Sequence, residues 1–345
     1  MNIREAIHSA VLGEDLSEQQ MHQVMNEIMS GEATPVQIGS FLTALRIKGE
    51  TVEEITGAVR VMREKVTRIN AGVDTSQGGI IVDTCGTGGD GSGTFNVSTT
   101  AAFIVAACGL TVAKHGNRSV SSSCGSADVL EAAGVDLSLS PDQVGECIRQ
   151  TGIGFLYAPA LHGAMKYAIG PRREIAIRTI FNILGPLTNP AGANIQVLGV
   201  FSEELTKLLA KVLAQLGSKR ALVVHGEGNL DELTTCGQTT VSELRDGNIT
   251  TYSVAPEDFG ISRATISELQ GGKDNAESAE LMKNVLQGKK GPRRDISLIN
   301  SGAALYAAGV EEDISAGIKQ ASDCIDSGKA LAKFHEFVAF TQSFN

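Results

Sequence analysis

From residue 79 onward, short apolar runs alternate with longer helical stretches, and this alternation restricts the fold more than any other feature. GGIIVDTC reads as a strand, VSTTAAFIVAACG as an apolar helix closed by Gly109, LTVAKHG as a strand and ADVLEAAG as the start of another helix. NIQVLGVF, ELTKLLAKVLAQLG and RALVVHG repeat the order strand, helix, strand. A strand followed by a crossover helix returns to the same end of the sheet, so such strands pair in parallel. The tail from DISLINSGAALYAAG onward reads as mostly helical.

The beginning of the chain follows a different pattern. Ser17-Glu-Gln-Gln20 and Thr51-Val-Glu-Glu54 have capping-box spacing, and Pro35 follows Thr34 at a first helical position. Ile38, Phe41, Leu42 and Leu45 share one helical face that stops at Gly49. KVTRINAGVDTSQGG has turn formers and no apolar period, and it reads as a linker. GPRREIAIRTIFNILGPLTNP, Gly170 to Pro190, reads as helix and then turns, and is expected to leave the sheet and rejoin the N-terminal helices. The expected architecture is α/β. A large domain over residues 73–345 holds a mainly parallel sheet flanked by helices, and a small all-helical domain covers residues 1–72 with the insertion near 170–190 joined to it.

Composition narrows the function. The net charge is -10, the pI is near 5.2, tryptophan is absent and aromatics are 4% of the 345 residues. This leaves neither the basic surface nor the stacking platform that a nucleic acid requires. No apolar run is long enough to cross a bilayer, and MNIREAIHSAVLGEDLSEQQ lacks the apolar segment of a signal peptide. Six cysteines without CxxC spacing speak for reduced thiols and against zinc. The expected compartment is the cytoplasm.

Three stretches carry chemistry. In DTCGTGGDGSGTFNVST, Gly86, Gly88 and Gly91 satisfy GxGxxG between a strand and a helix. A dinucleotide site wants an acid about 20 residues later, but Asp and Glu are missing from Gly91 through Ala127. What remains is an anion cradle of backbone amides at a helix N-terminus, with Thr94, Asn96, Ser98 and Thr99 as further donors. The competing reading is a glycine turn with Asn96 or Ser98 capping the helix. In KHGNRSVSSSCGSAD, Lys114 and Arg118 supply cations, and Asn117, Ser119, Ser121 and Ser122 supply donors, at the end of the next strand. There the competing readings are a solvated lysine and a structural histidine. In HGEGNLDELT, the adjacent acids Asp231 and Glu232 follow a third strand and suit Mg²⁺, a hard cation that takes oxygen ligands.

Together and in this order, GTGGD (86–90), NVST (96–99), KHGNRSVSS (114–122), CGSADVLE (124–131), IRTIFNILGPLTNP (177–190) and NLDELT (229–234) resemble the anthranilate phosphoribosyltransferases over essentially the whole chain. The pyrimidine nucleoside phosphorylases, which share the architecture, carry a different lysine-loop motif. The resemblance implies transfer of a phosphoribosyl group from phosphoribosyl pyrophosphate to the amine of anthranilate in tryptophan synthesis. It also implies Mg²⁺, two ions per subunit, and a homodimer joined through the helical domain, with a hinge between the domains. Carried across, Gly86, Gly89, Asp90, Thr94, Asn96, Val97, Ser98 and Thr99 contact phosphoribosyl pyrophosphate. So do Lys114, His115, Gly116, Asn117, Arg118, Ser119, Val120, Ser121, Ser122 and Ser126. Gly86, Asn117 and Arg172 meet anthranilate, and Ser98, Asp231 and Glu232 hold the metal. No residue is assigned as the catalytic acid or base; His115 is the one candidate for orienting the amine or relaying its proton. The rival functions are a pyrimidine nucleoside phosphorylase and a non-catalytic, nucleic-acid-binding relative.

Overall fold

The computed structural model describes residues 1–119 and 124–344. Four helices open the chain: α1 Ile3–Val11, α2 Glu18–Met29, α3 Pro35–Lys48 and α4 Val52–Lys65. Ser17 and Thr51 form the capping boxes read from the sequence, Thr34 forms another ahead of Pro35, and Gly49 closes α3 at φ 88°. Each cap satisfies amides that the first turn of a helix otherwise leaves unpaired.

The sheet region runs β1 Val82–Gly86, α5 Val97–Ala107, β2 Val112–Gly116, α6 Ser126–Ala132, α7 Pro141–Thr151 and β3 Ile153–Tyr157. Then follow α8 Ala158–Leu161, α9 Lys166–Ile175, α10 Phe181–Leu184, β4 Ile195–Gly199, α11 Glu204–Gln215 and β5 Arg220–Gly226. Two further strands, β6 Thr239–Arg245 and β7 Asn248–Val254, precede α12 Asn275–Leu286, α13 Pro292–Ala307, α14 Ile314–Asp326 and α15 Lys329–Gln342.

These strands form one sheet in the order β3-β2-β1-β4-β5-β6-β7. The pairs from β3 through β5 are parallel, and β6 and β7 are added antiparallel. The sequence reading contained neither β3 nor the β6–β7 hairpin. The hairpin turns at Asp246-Gly247, with φ 50° and 83°, the two positive values that a tight hairpin turn demands.

Alternate strand residues serve opposite faces. Ile195, Val197, Leu222 and Val224 join Phe103, Phe334 and Phe337 under α5, α13 and α15. Leu198, Ala221 and Val223 face α11 and share a continuous apolar core with Ile28, Phe41, Leu42 and Ile55 of the first four helices. Burial on both faces explains why the parallel strands read as unbroken apolar runs. The segment after α4 is more than a spacer, since Val66, Ile69 and Ala71 are buried against Ile81, Ile148 and Leu161. From the 170–190 segment, α9 packs on α3 and α2, while Ile180, Phe181 and Leu184 enter the core of the first helices.

Candidate active site

The chain leaves β1 towards β2 and β3 on one side and returns to β4 on the other. Such a switch in strand order, at the carboxyl ends of parallel strands, is where α/β sheets characteristically bind ligands. The described residues of all three chemical stretches follow β1, β2 and β5 at that end. Gly86 and Gly199 are register partners across β1 and β4. A Cβ on Gly86 would collide with the Asp231 carboxylate, and one on Gly199 with the Asp231 carbonyl. The two glycines open the notch in which Asp231 sits.

The loop after β1 owes its shape to Gly88, Gly89, Gly91 and Gly93, whose φ values are 67°, 70°, 76° and 65°. Other residues there would cost roughly 1–2 kcal/mol each. The Gly88 N–H donates to Asp231 Oδ2 at 2.8 Å. Further along, Phe95 N–H donates to the Leu269 carbonyl and Gly271 N–H to that of Gly93.

At the start of α5, the Ser98 N–H donates to Glu232 Oε1 at 3.1 Å. Asn96 occupies the N-cap position, but its side chain makes no capping bond and its amide donates to the Cys124 carbonyl. Neither the Asn96 nor the Ser98 side chain makes a capping bond to this helix. Lys114 is 3% exposed, and its Nζ donates to the Thr84 carbonyl at 2.6 Å and to Ser98 Oγ at 3.3 Å. It is a buried positive charge under the N-terminus of α5, not a solvated strand end.

Asp231 and Glu232 are thereby held side by side, each on a backbone amide. Burial pushes the Asp231 carboxyl up, and nearby Asp90 pushes it further. Glu232 is raised by burial and by Asp231, against the pull of Lys114. Asp90 accepts from the N–H and Oγ of Ser92. Crowded oxygen donors of this type fit a hard divalent cation, which would relieve the repulsion that raises their pKa. Among the described residues no group of three or more His, Cys, Asp or Glu is arranged as a metal cage. A hard cation held by few carboxylates commonly keeps water in its shell.

Around β2, His115 is buried, its N–H donates to Asp83 Oδ1, and its Nε2 lies 3.1 Å from Nε2 of His162. Burial, then the charges of His162 and Lys114, lower the His115 pKa to about 3, and burial lowers that of His162 to about 4. His115 is therefore neutral near neutral pH and a weak proton acceptor, able to orient a neighbour by hydrogen bonding and not to take up its proton. The sequence reading did not contain His162, a lone histidine without a motif.

In the loop after β2, Ser126 Oγ bridges the N–H and carbonyl of Asn117. The Arg118 guanidinium is engaged by Asp128 at 3.0 Å and Glu131 at 2.8 Å, so its charge is already matched here. Val120, Ser121 and Ser122 lie outside the described residues. In the insertion, half-buried Arg172 stacks on Phe181 at 5.2 Å, while Arg173 is exposed. Among the described residues Arg172 makes no hydrogen bond to Gly86 or Asn117. Arg178, quoted within IRTIFNILGPLTNP but given no role by the sequence, donates to the Gly89 carbonyl and stacks on Phe201 at 4.2 Å.

Residues 4–66 match the family model of the glycosyl transferase helical bundle domain, and residues 78–331 match that of the glycosyl transferase a/b domain. The anthranilate phosphoribosyltransferase of Desulfotalea psychrophila is 58% identical over 99% of this chain and 97% of its own. The chain belongs to the anthranilate phosphoribosyltransferases. The enzyme of that name from Geotalea uraniireducens is 57% identical over 98% of this chain and 99% of its own. The crystal structure of the Thermus thermophilus enzyme is 44% identical, with a TM-score of 0.91 over 98% of this chain and 99% of that one. The Saccharomyces cerevisiae enzyme in complex with PRPP and Mg is 28% identical, with a TM-score of 0.88 over 99% and 98%. Neither rival, the pyrimidine nucleoside phosphorylase or the nucleic-acid-binding relative, finds support in these relatives.

Proposed function

We propose that the crevice between β1, β2, β4 and β5 moves the phosphoribosyl group of 5-phosphoribosyl 1-pyrophosphate onto the amine of anthranilate. The bond from C1 of the ribose to the pyrophosphate oxygen breaks, a bond from C1 to nitrogen forms, and the amine gives up a proton. The observation that carries this reading is the pair Asp231 and Glu232, held on the amides of Gly88 and Ser98 at the point where the strand order reverses. The yeast relative with PRPP and Mg supports the donor substrate and the metal.

The donor site is assigned to Gly86, Gly89, Asp90, Thr94, 96–99, 114–122 and Ser126. Amides at the N-terminus of α5 and in the glycine loop face the departing pyrophosphate, and preorganised dipoles of this kind lower the barrier where charge develops. Ser98, Asp231 and Glu232 would hold Mg²⁺, in two ions per subunit, which would neutralise charge on the leaving group. Lys114 supplies fixed positive charge beneath the same helix. Gly86, Asn117 and Arg172 form the acceptor site, with the Arg172 fork suited to the planar carboxylate of anthranilate. An aromatic amine already presents a lone pair, so the site needs no strong base, and neutral His115 is better suited to orienting the amine than to accepting its proton.

We also assign residues 1–72 with the 170–190 insertion to the helical domain and 73–345 to the α/β domain, with a hinge between them. The helical part exposes Val11, Val36 and Ile47 around an open groove of about 530 Å³ lined by α3 and α9. This apolar face supports a homodimer joined there. No helix among the described residues is long and apolar enough to cross a membrane, and every described cysteine is a free thiol. Both are consistent with the cytoplasm. The test is loss of anthranilate fluorescence on adding phosphoribosyl pyrophosphate and Mg²⁺, abolished by a chelator. Persistent fluorescence with folded protein overturns the reading.

A further inference from the structure

Arg178 is exposed, and no carboxylate pairs with it among the described residues. Its backbone is nonetheless fixed on both sides. Before it, α9 ends at Ala176 in the left-handed region, φ 51°. After it, Thr179 and Ile180 are buried, and the Thr179 N–H donates to Asn182 Oδ1 at 2.9 Å. The guanidinium stacks on Phe201, whose own N–H donates to Thr87 Oγ1 at 3.2 Å. From that platform it donates to the carbonyl of Gly89.

A trans peptide is planar, and its C=O and N–H point in opposite directions. Drawing the Gly89 carbonyl towards Arg178 therefore turns the Asp90 N–H away from Arg178. Among the described residues no acceptor takes that N–H. Two peptides earlier in the loop are already held, Gly86–Thr87 by the Thr87 N–H donating to the Gly199 carbonyl at 2.9 Å and Thr87–Gly88 by the Gly88 N–H donating to Asp231 at 2.8 Å. With three glycines at positive φ around it, the Gly89–Asp90 peptide has little steric reason to keep one orientation. We propose that Arg178 is a positioning residue that fixes this peptide flip and so presents the Asp90 amide to the pyrophosphate of the donor substrate. The inference rests on the phosphoribosyl-transfer reading. It gives the segment 176–179, which follows the acceptor residue Arg172, a direct grip on the donor loop.

Wild-type turnover of anthranilate with phosphoribosyl pyrophosphate and Mg²⁺ is measured first, and its absence refutes the reaction rather than the role of Arg178. Given turnover, Arg178→Ala is expected to raise KM for phosphoribosyl pyrophosphate about tenfold, the effect of losing one charge-assisted hydrogen bond. The KM for anthranilate and kcat should each stay within about threefold. Arg178→Lys, which can donate but cannot stack as a plane, should fall between. Added guanidinium should restore part of the loss in Arg178→Ala. Calorimetric binding of phosphoribosyl pyrophosphate with Mg²⁺, without anthranilate, should weaken by the same factor. If both variants fold and keep the wild-type KM, or if the loss falls on anthranilate alone, the inference is wrong. If Arg178→Ala does not fold, the lysine variant and its donor affinity decide.

Discussion

The Asp231 carboxylate occupies the space where Gly86 would carry a side chain. A strand-end glycine whose role could be close approach to a phosphate alone is here fixed by the Asp231 carboxylate. An alanine at 86 would displace Asp231 from the Gly88 amide before it met any substrate. Gly86→Ala should therefore lower kcat/KM at least tenfold, roughly 1.4 kcal/mol, and raise the Mg²⁺ concentration needed for half-maximal rate. A Mg²⁺ profile identical to wild type would mean that the alanine acts on the pyrophosphate instead.

Arg172 and Arg173 are neighbours with different surroundings. Burial lowers the Arg172 pKa, and its plane lies on Phe181, whereas Arg173 is exposed. Arg172→Ala should weaken anthranilate by about 1.5–3 kcal/mol, the scale of a hydrogen bond to a charged group, with the KM for phosphoribosyl pyrophosphate unchanged. Arg173→Ala should be mild. A larger loss on the phosphorylated substrate would show that the two pockets have been exchanged.

His115 and His162 set an acid limit on stability. Their folded pKa values, about 3 and 4, lie below the ordinary value of 6.5, so the fold holds both rings neutral. Their contribution is complete above pH 6.5 and is lost as pH falls towards 4. Protonation in the unfolded chain is worth about 2 kcal/mol per ring at pH 5. Wild-type protein should thus lose denaturant resistance between pH 7.5 and 5, and His162→Gln should lose less. Equal slopes in the two proteins would remove His162 from the account.

Asn300 anchors the loop that carries the acids. It is 2% exposed, accepts from the Leu233 N–H at 3.0 Å, and donates to the Leu233 and Ile296 carbonyls at 2.9 Å. Asn300→Ala strands a buried N–H and a buried carbonyl beside Glu232, at a cost of about 2–4 kcal/mol. Chemical denaturation checks the loss, and the Mg²⁺ requirement of the folded variant should rise. Should that requirement stay fixed, Asn300 supports the fold without supporting the site.

Much of the architecture was legible because its causes are local. Ser17, Thr34 and Thr51 bond to amides three residues away, and Gly49 stops a helix by its own backbone freedom. Apolar runs separated by helices announced the parallel strands, and the order of glycine loop, lysine loop and paired acids announced the chemistry. The Asp246-Gly247 turn was equally local, yet it went unread because β7, an exposed edge strand, lacks an apolar run. Tertiary structure alone decided which glycine answers which acid, that Lys114 is buried on Thr84 and Ser98, that His162 joins His115, and that Arg178 reaches Gly89. Each of these contacts joins segments far apart in the chain. Their geometry is set by strand order and by burial on both faces of the sheet, quantities that no local pattern of residues contains.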